Sequence, residues 1–296
     1  MSINETARHI QVVPHFMRLH EWIALEDRLY EAEGLVPDLL PEVMHRVSSH
    51  GADPYFDRPQ DLPLLGGQEV ANSACEWGSV CNAGAGMGRF VPDLYGMARF
   101  AIMARPDAGL ERVADLGGVP VGVGLMAGSH FTALRTLEAV LPAERIQVVN
   151  VGGPGRRLLA LRQGEMKVAN LLDPEIPIAR AEGMVTLAEG EFRTLFWVSA
   201  DIPGDVLAGY FRALKQADAR LRASPGPYLH LWERNLPPGL EGDHDYARFG
   251  RGELLTFQPY PTEVYEQTVQ FARRWGLADN MREDSFEALR TPALHI

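Results

Sequence analysis

The chain has 296 residues, more than one average domain, so one large or two medium domains are expected. Hydrophobic residues make up 46% and charged residues 23%, an ordinary soluble composition that builds a core without disulfides or metals. The net charge of −11 argues against nucleic acid and anionic membrane as partners, since both need a positive surface. It leaves an anionic small ligand open, because local groups decide a site.

Cys75 and Cys81 match no zinc-binding spacing and read as buried small side chains. The opening MSINETARHIQVVPH has no basic segment leading into an apolar run and no small-residue cleavage site, so a cytoplasmic protein is expected. No run approaches the length of a membrane span, and membrane insertion is not expected. Nothing in the sequence sets an oligomeric state.

In chain order, His9–Pro14 is short, apolar and β-branched, and reads as a first strand. A helix follows, with apolar positions at Leu19, Trp22, Ile23, Leu29 and Tyr30, and Gly34 is placed to end it. Strands are predicted at Val36–Val43, Glu69–Trp77, Arg99–Ala104, Val119–Gly124, Arg145–Val151, Lys167–Leu172 and Arg193–Ser199. Helices are predicted after Gly128-Ser129-His130 through Val140, and over Arg156–Gln163. Beyond Ile202 the pattern is helical, over Val206–Ala223, Pro227–Asn235, Pro261–Trp275 and Glu283–Leu289. Strand–helix alternation through the first two thirds points to an α/β fold with mostly parallel sheets flanked by helices.

Several phrases, in order, resemble the SsuA/TauA-like group of type 2 periplasmic substrate-binding proteins. They are Glu33-Gly34-Leu35 closing the first helix, the strand ending Glu76-Trp77-Gly78-Ser79, ADLGGVPVGVGLMAGS over Ala114–Ser129, and LRQGEMKVANLLDPEI over Leu161–Ile176. The resemblance implies a two-lobed fold with a ligand cleft between the lobes. It puts one discontinuous lobe at about residues 1–101 plus 201–296 and the other at about 102–200. The crossings would lie near Phe100–Met103 and Phe196–Ser199, and the cleft would close on its ligand by hinge motion.

In open α/β sheets ligands lie outside the carboxyl ends of the strands, and that rule selects four places. His15, after the first strand, could hydrogen-bond a ligand or exchange a proton, or be a solvated or backbone-bonded histidine. Trp77-Gly78-Ser79 offers an indole wall and a glycine that admits a ligand to the backbone, or a core tryptophan beside a structural glycine. As part of a strand, Glu76 and Trp77 would point to opposite faces. Gly128-Ser129-His130 has the strongest physical case, with Ser129 as N-cap of a helix whose first N–H groups suit a carboxylate, sulfonate or phosphate. Asp173-Pro174-Glu175 carries two carboxylates for an amine or for acid–base work, or an Asp that caps the next helix. Gly152 through Arg157 is a basic, glycine-rich turn that could hold an anion, though surface arginine is the commoner outcome. Asn82–Gly88 lacks the lysine and glycine order of a nucleotide loop. His15 and His20, five apart, do not share a helix face, so no metal set is read and no cofactor is implied.

Two functions are weighed. The first is a binding protein for a small organic anion, a carboxylate or sulfonate with aromatic ones included, related to ABC-transporter solute-binding proteins. The alternative is a cytoplasmic cofactor-independent enzyme of decarboxylase, desulfinase or hydrolase type, a lyase among them. It would use His15, Glu76, His130 and Asp173 for proton transfer. The resemblance extends to 2'-hydroxybiphenyl-2-sulfinate desulfinase, whose nucleophilic cysteine follows its first strand; here that position falls near His15. It extends also to dihydroxyphthalate decarboxylases and to the pyrimidine synthases of thiamine biosynthesis, whose clustered Cys and His motif is absent. A ligand-sensing module acting on another protein has no supporting feature.

Overall fold

A computed structural model describes residues 8–45 and 67–296; Met1–Ala7, the start of the segment read for an export signal, lie outside them. The strands are β1 (Arg8–Val12), β2 (Leu35–Leu39), β3 (Val70–Cys75), β4 (Arg89–Phe90), β5 (Tyr95–Ala104), β6 (Val121–Val123), β7 (Val148–Asn150), β8 (Val168–Leu172), β9 (Val185–Val198) and β10 (Leu254–Thr256). They form one mixed sheet in the order β2-β1-β3-β9-β5-β8-β6-β7, with β10 against β5 and β4 against β9.

Two long antiparallel strands run through the middle of that sheet. The carboxyl half of β9, Thr194–Val198, pairs with β3, and its earlier residues, from Val185 to Thr194, pair with β5. In β5, Tyr95–Met97 pair with β10, whereas Phe100–Ala104 pair with β8. Strands β1, β2 and β3 are mutually parallel, as are β6, β7 and β8. Each parallel group therefore lies to one side of the central pair, as the alternation of strand and helix demands.

The first predicted helix is two, α1 (His20–Glu26) and α2 (Leu29–Ala32), separated by Arg28 at φ 57°. The predicted strand Val36–Val43 ends at Leu39, and Pro41 opens α3 (Pro41–His45), because proline suits the first turn of a helix. The predicted strand Glu69–Trp77 ends at Cys75, whose Sγ accepts from Gly78 N at 3.3 Å and caps α4 (Glu76–Gly84). The second parallel group carries α5 (Gly128–Glu138), α6 (Arg156–Arg162) and α7 (Glu175–Ala181).

Helix α8 (Gly204–Ala223) buries Val206, Tyr210, Phe211, Leu214, Ala217 and Leu221, a spacing of three and four that makes one apolar stripe. Tyr210 stacks on Tyr30 of α2, with ring centroids 6.1 Å apart. Gly226–Asn235, between prolines, is a 3₁₀ helix. Helix α9 (Thr262–Arg274) packs on α4, and α10 (Phe286–Leu289) is shorter than its predicted span. Among the described residues no helix is long and apolar enough to cross a membrane.

Candidate functional site

The first strand end leads into a buried network of charges. His15 is 4% exposed, and its Nδ1 lies 2.8 Å from Glu253 Oε2, contributed by the residue before β10. Glu253 Oε1 also accepts from Thr194 Oγ1 at 2.5 Å and Arg18 Nη1 at 3.3 Å. Arg18 Nε donates to both oxygens of Glu21, at 2.8 and 3.0 Å, and Tyr210 Oη donates to Glu21 at 3.1 Å. Burial alone would raise the Glu253 carboxyl; Arg18, His15 and Thr194 more than reverse it and hold it at about 2. An ionised carboxylate facing Nδ1 requires the proton there, which leaves Nε2 as the nitrogen with a free role. Gly96 is what admits the carboxylate, since a Cβ on it would collide with Glu253 and Thr194.

At the second place, Trp77, Gly78 and Ser79 belong to the first turn of a helix rather than to a turn after a strand, so pleat alternation does not separate Glu76 from Trp77. Trp77 is buried, stacked on Phe131 at 4.9 Å with planes 4° apart, and flanked by Phe192 at 6.5 Å and Phe271 at 6.0 Å. Ser79 Oγ donates to the Leu195 carbonyl at 3.1 Å, so its hydroxyl serves the fold. Glu76 is buried as well, and its Oε2 accepts from Tyr260 Oη at 3.3 Å.

The third place differs from expectation in one respect. The N-cap of α5 is Ala127, and Ser129 Oγ turns back to accept from Gly124 N at 3.0 Å. The hydroxyl thus closes the loop between β6 and α5. Ser129→Ala leaves a buried N–H unsatisfied and should cost about 1–3 kcal/mol in a urea titration. His130 Nδ1 accepts from Met126 N at 3.2 Å, which places the ring proton on Nε2. Burial lowers its pKa to about 4, so the ring is a neutral donor at physiological pH. Gly128 lets the helix start come close to its neighbours: a Cβ there would lie 2.9 Å from the Phe192 ring and 3.3 Å from Cys75 Cβ.

At the fourth place both carboxylates are engaged. Arg99 of β5 donates to Asp173 through Nε and Nη2 at 2.7 and 2.9 Å, and Nη2 also reaches the Phe249 carbonyl at 2.8 Å. Burial raises the Asp173 carboxyl and Arg99 opposes it. The cation expected for Asp173 is thus one of the chain's own. Glu175 accepts from Arg157 at 2.6 Å, from Gly155 N at 3.0 Å and from Leu172 N at 3.3 Å. It locks the glycine-rich turn to the start of α7, so Arg157 is a structural group. Asp173 does not cap that helix, whose N-cap is Pro174.

What brings the four places together is one apolar cluster. It joins Val13, Phe16 and Met17 after β1, Cys75 at the end of β3 and Trp77 after it, Met126 and Phe131 after β6, Leu172 at the end of β8, and Phe192 in β9. His15 and His130 lie against its aromatic members, with ring centroids 5.1 Å from Phe16 and 5.9 Å from Phe131. The strand-end rule located these turns. It missed Glu253, Arg99 and Phe192, none of which follows a strand carboxyl end, and Arg18, which shares the segment after β1 with His15.

No family model matches the chain, and no curated protein matches it by sequence. Solved structures do match. The alkanesulfonate-binding protein SsuA from Xanthomonas axonopodis pv. citri, bound to MOPS, is 17% identical, with a TM-score of 0.69 over 96% of this chain and 97% of that one. The periplasmic aliphatic sulphonate-binding protein SsuA from Escherichia coli is 17% identical, with a TM-score of 0.68 over 99% and 94%. A mutant of the desulfurization enzyme DSZB in complex with biphenyl-2-sulfinic acid is 14% identical, with a TM-score of 0.63 over 97% of each chain. The chain has the two-lobed fold of the periplasmic binding proteins.

Proposed function

We propose that the protein binds a small organic anion, an aromatic carboxylate or sulfonate, in the cleft between its two lobes. The observation that carries this reading is the apolar cluster that gathers all four strand ends, with a neutral His130 beside it. Its aromatic rings suit a flat apolar body. The His130 Nε2–H and the N–H groups of Gly128 and Ser129, which have no partner within a helix, suit the charged end. The named ligands of the structural neighbours, an alkanesulfonate and an aryl sulfinic acid, support the same class.

The lobes are inferred to move about β5 and β9, near Arg99–Phe100 and Thr194, where those strands exchange one set of partners for another. A thermal-shift screen of small carboxylates, sulfonates and aromatic acids tests the reading. Aromatic anions should raise the melting temperature by mass action, and a panel with no stabilising member would end it. His130→Ala should weaken the best hit about ten- to a hundredfold, the effect of one hydrogen bond to an anion.

One observation favours catalysis as a second reading. The buried carboxylate of Glu253 fixes the His15 imidazole as an orienting acid fixes a general base. Product analysis of each stabilising compound decides between the two, since recovery intact supports binding and conversion supports an enzyme. If turnover occurs, His15→Gln should abolish it while leaving affinity within a few fold.

A further inference from the structure

Three helices leave a cavity beside the aromatic cluster. It measures about 270 Å³ and is walled by Glu76 and Trp77 of α4, Arg135 and Glu138 of α5, Arg193 of β9, and Thr268, Phe271 and Arg274 of α9. That is below the range of pockets for drug-sized ligands, so its occupant must be small.

The charges around it do not balance. Arg274 is paired with Glu138 at 2.8 Å, which accounts for both. Arg135 makes no ion pair among the described residues; its guanidinium lies 5.8 Å from the Trp77 ring. Arg193 lies 5.7 Å from the Tyr95 ring, and its Nε is buried with no hydrogen-bond partner. A buried donor of that kind is costly to leave unmade. Against these two cations stands Glu76, which is buried and held by Tyr260.

We propose that this cavity is a second binding site, beside the strand-end turns and sharing the Trp77 wall with them, for a small oxyanion held between Arg135 and Arg193 over the Glu76 carboxyl. Guanidinium groups suit the planar or tetrahedral oxygens of carboxylate, sulfonate or phosphate. With Glu76 protonated, its O–H is a further donor and two positive charges remain for one ligand. With Glu76 ionised, it competes with the ligand for both arginines. The groups that face it are Arg193 from β9, Arg135 from α5, Tyr260 from the segment before α9 and Thr268 from α9. Burial is the largest influence on Glu76 and raises its pKa to about 7, with Arg193 and Arg135 pulling the other way. Anion binding at this site therefore takes up a proton, and affinity should fall about tenfold from pH 6 to pH 8.

The test is isothermal titration of the full chain with sulfate and with acetate, in a buffer free of other small anions. Neither probe titrates in that pH range, so any pH dependence belongs to the protein. Wild type should bind at least one of them, more tightly at pH 6. Arg193→Gln and Arg135→Gln should each weaken binding at least tenfold; Arg135 is exposed, so its variant puts folding at little risk. Glu76→Gln, which imitates the neutral carboxyl, should keep the binding and lose the pH dependence. His130→Ala should leave this affinity unchanged, which separates the site from the strand-end turn at His130. No binding of either probe by wild type, or equal binding by both arginine variants, overturns the proposal. A pH dependence that persists in Glu76→Gln overturns the coupling to a proton.

Discussion

Replacing Glu253 with alanine is expected to cost about 3–5 kcal/mol of folding stability, because it breaks a buried ion pair by removing one partner. Arg18 has no exposed side-chain surface and is held between two carboxylates, Glu21 and Glu253. Without Glu253, that guanidinium keeps one anion, while the His15 Nδ1–H and the Thr194 hydroxyl lose their acceptor in a space closed to water. The measurement is a urea titration at pH 7, in which the midpoint should fall with the slope unchanged.

The acid limb supplies a second reading of the same group. Its folded pKa of about 2 is depressed below the ordinary glutamate value of 4.5. Its contribution is therefore fully present above pH 4.5 and is lost as the pH falls toward 2. The gap between wild type and Glu253→Ala should hold from pH 7 to about pH 5 and narrow below that. A gap under about 1 kcal/mol at pH 7 would mean that water reaches the network, and His15 would then lack a fixed orientation.

The outline of the fold was legible wherever burial is continuous. The runs of β3 and β8 are inside on both faces, and such runs read as strands from composition. The first half of β9, Val185–Glu191, was not legible, since it carries Glu189 and Glu191 on a half-exposed face and pairs only with β5 there. Cys75 shows a different limit. The buried run Val70–Trp77 continues through a change from strand to helix, and continuous burial leaves no period that marks such a change.

Among the candidate site residues, strand-end position located the turns, and the chemistry of each side chain depended on distant partners. Asp173 finds Arg99 74 residues earlier, and His15 finds Glu253 238 residues later. Glu253 stands in the phrase RGELL, where a lone glutamate reads as surface. Ser129 is the residue type of an N-cap at a helix start, yet its hydroxyl serves the loop before the helix. Local pattern names the groups that face a cleft. Long-range pairing decides which of them remain free for a ligand.

Trp77 tests whether the aromatic cluster holds the lobes together in the absence of ligand. Its ring belongs to α4, next to β3, and stacks on Phe131 of α5, next to β6, so the contact joins the two parallel groups of strands. Trp77→Ala removes a fully buried indole and should cost about 3–5 kcal/mol if the surroundings stay in place. Trp77→Phe keeps a ring against Phe131 and should cost less than half of that. The two lobes give the protein a way to relax that a single core lacks, since parting them relieves the cavity by admitting water. Small-angle scattering separates the cases. A stability loss of about 3–5 kcal/mol with an unchanged radius of gyration places Trp77 in a closed core. A loss under about 1.5 kcal/mol with a larger radius means that the stack is a latch, and an aromatic anion should then restore the compact radius in the variant. An unchanged radius together with that small loss would leave the stack without a part in holding the lobes closed.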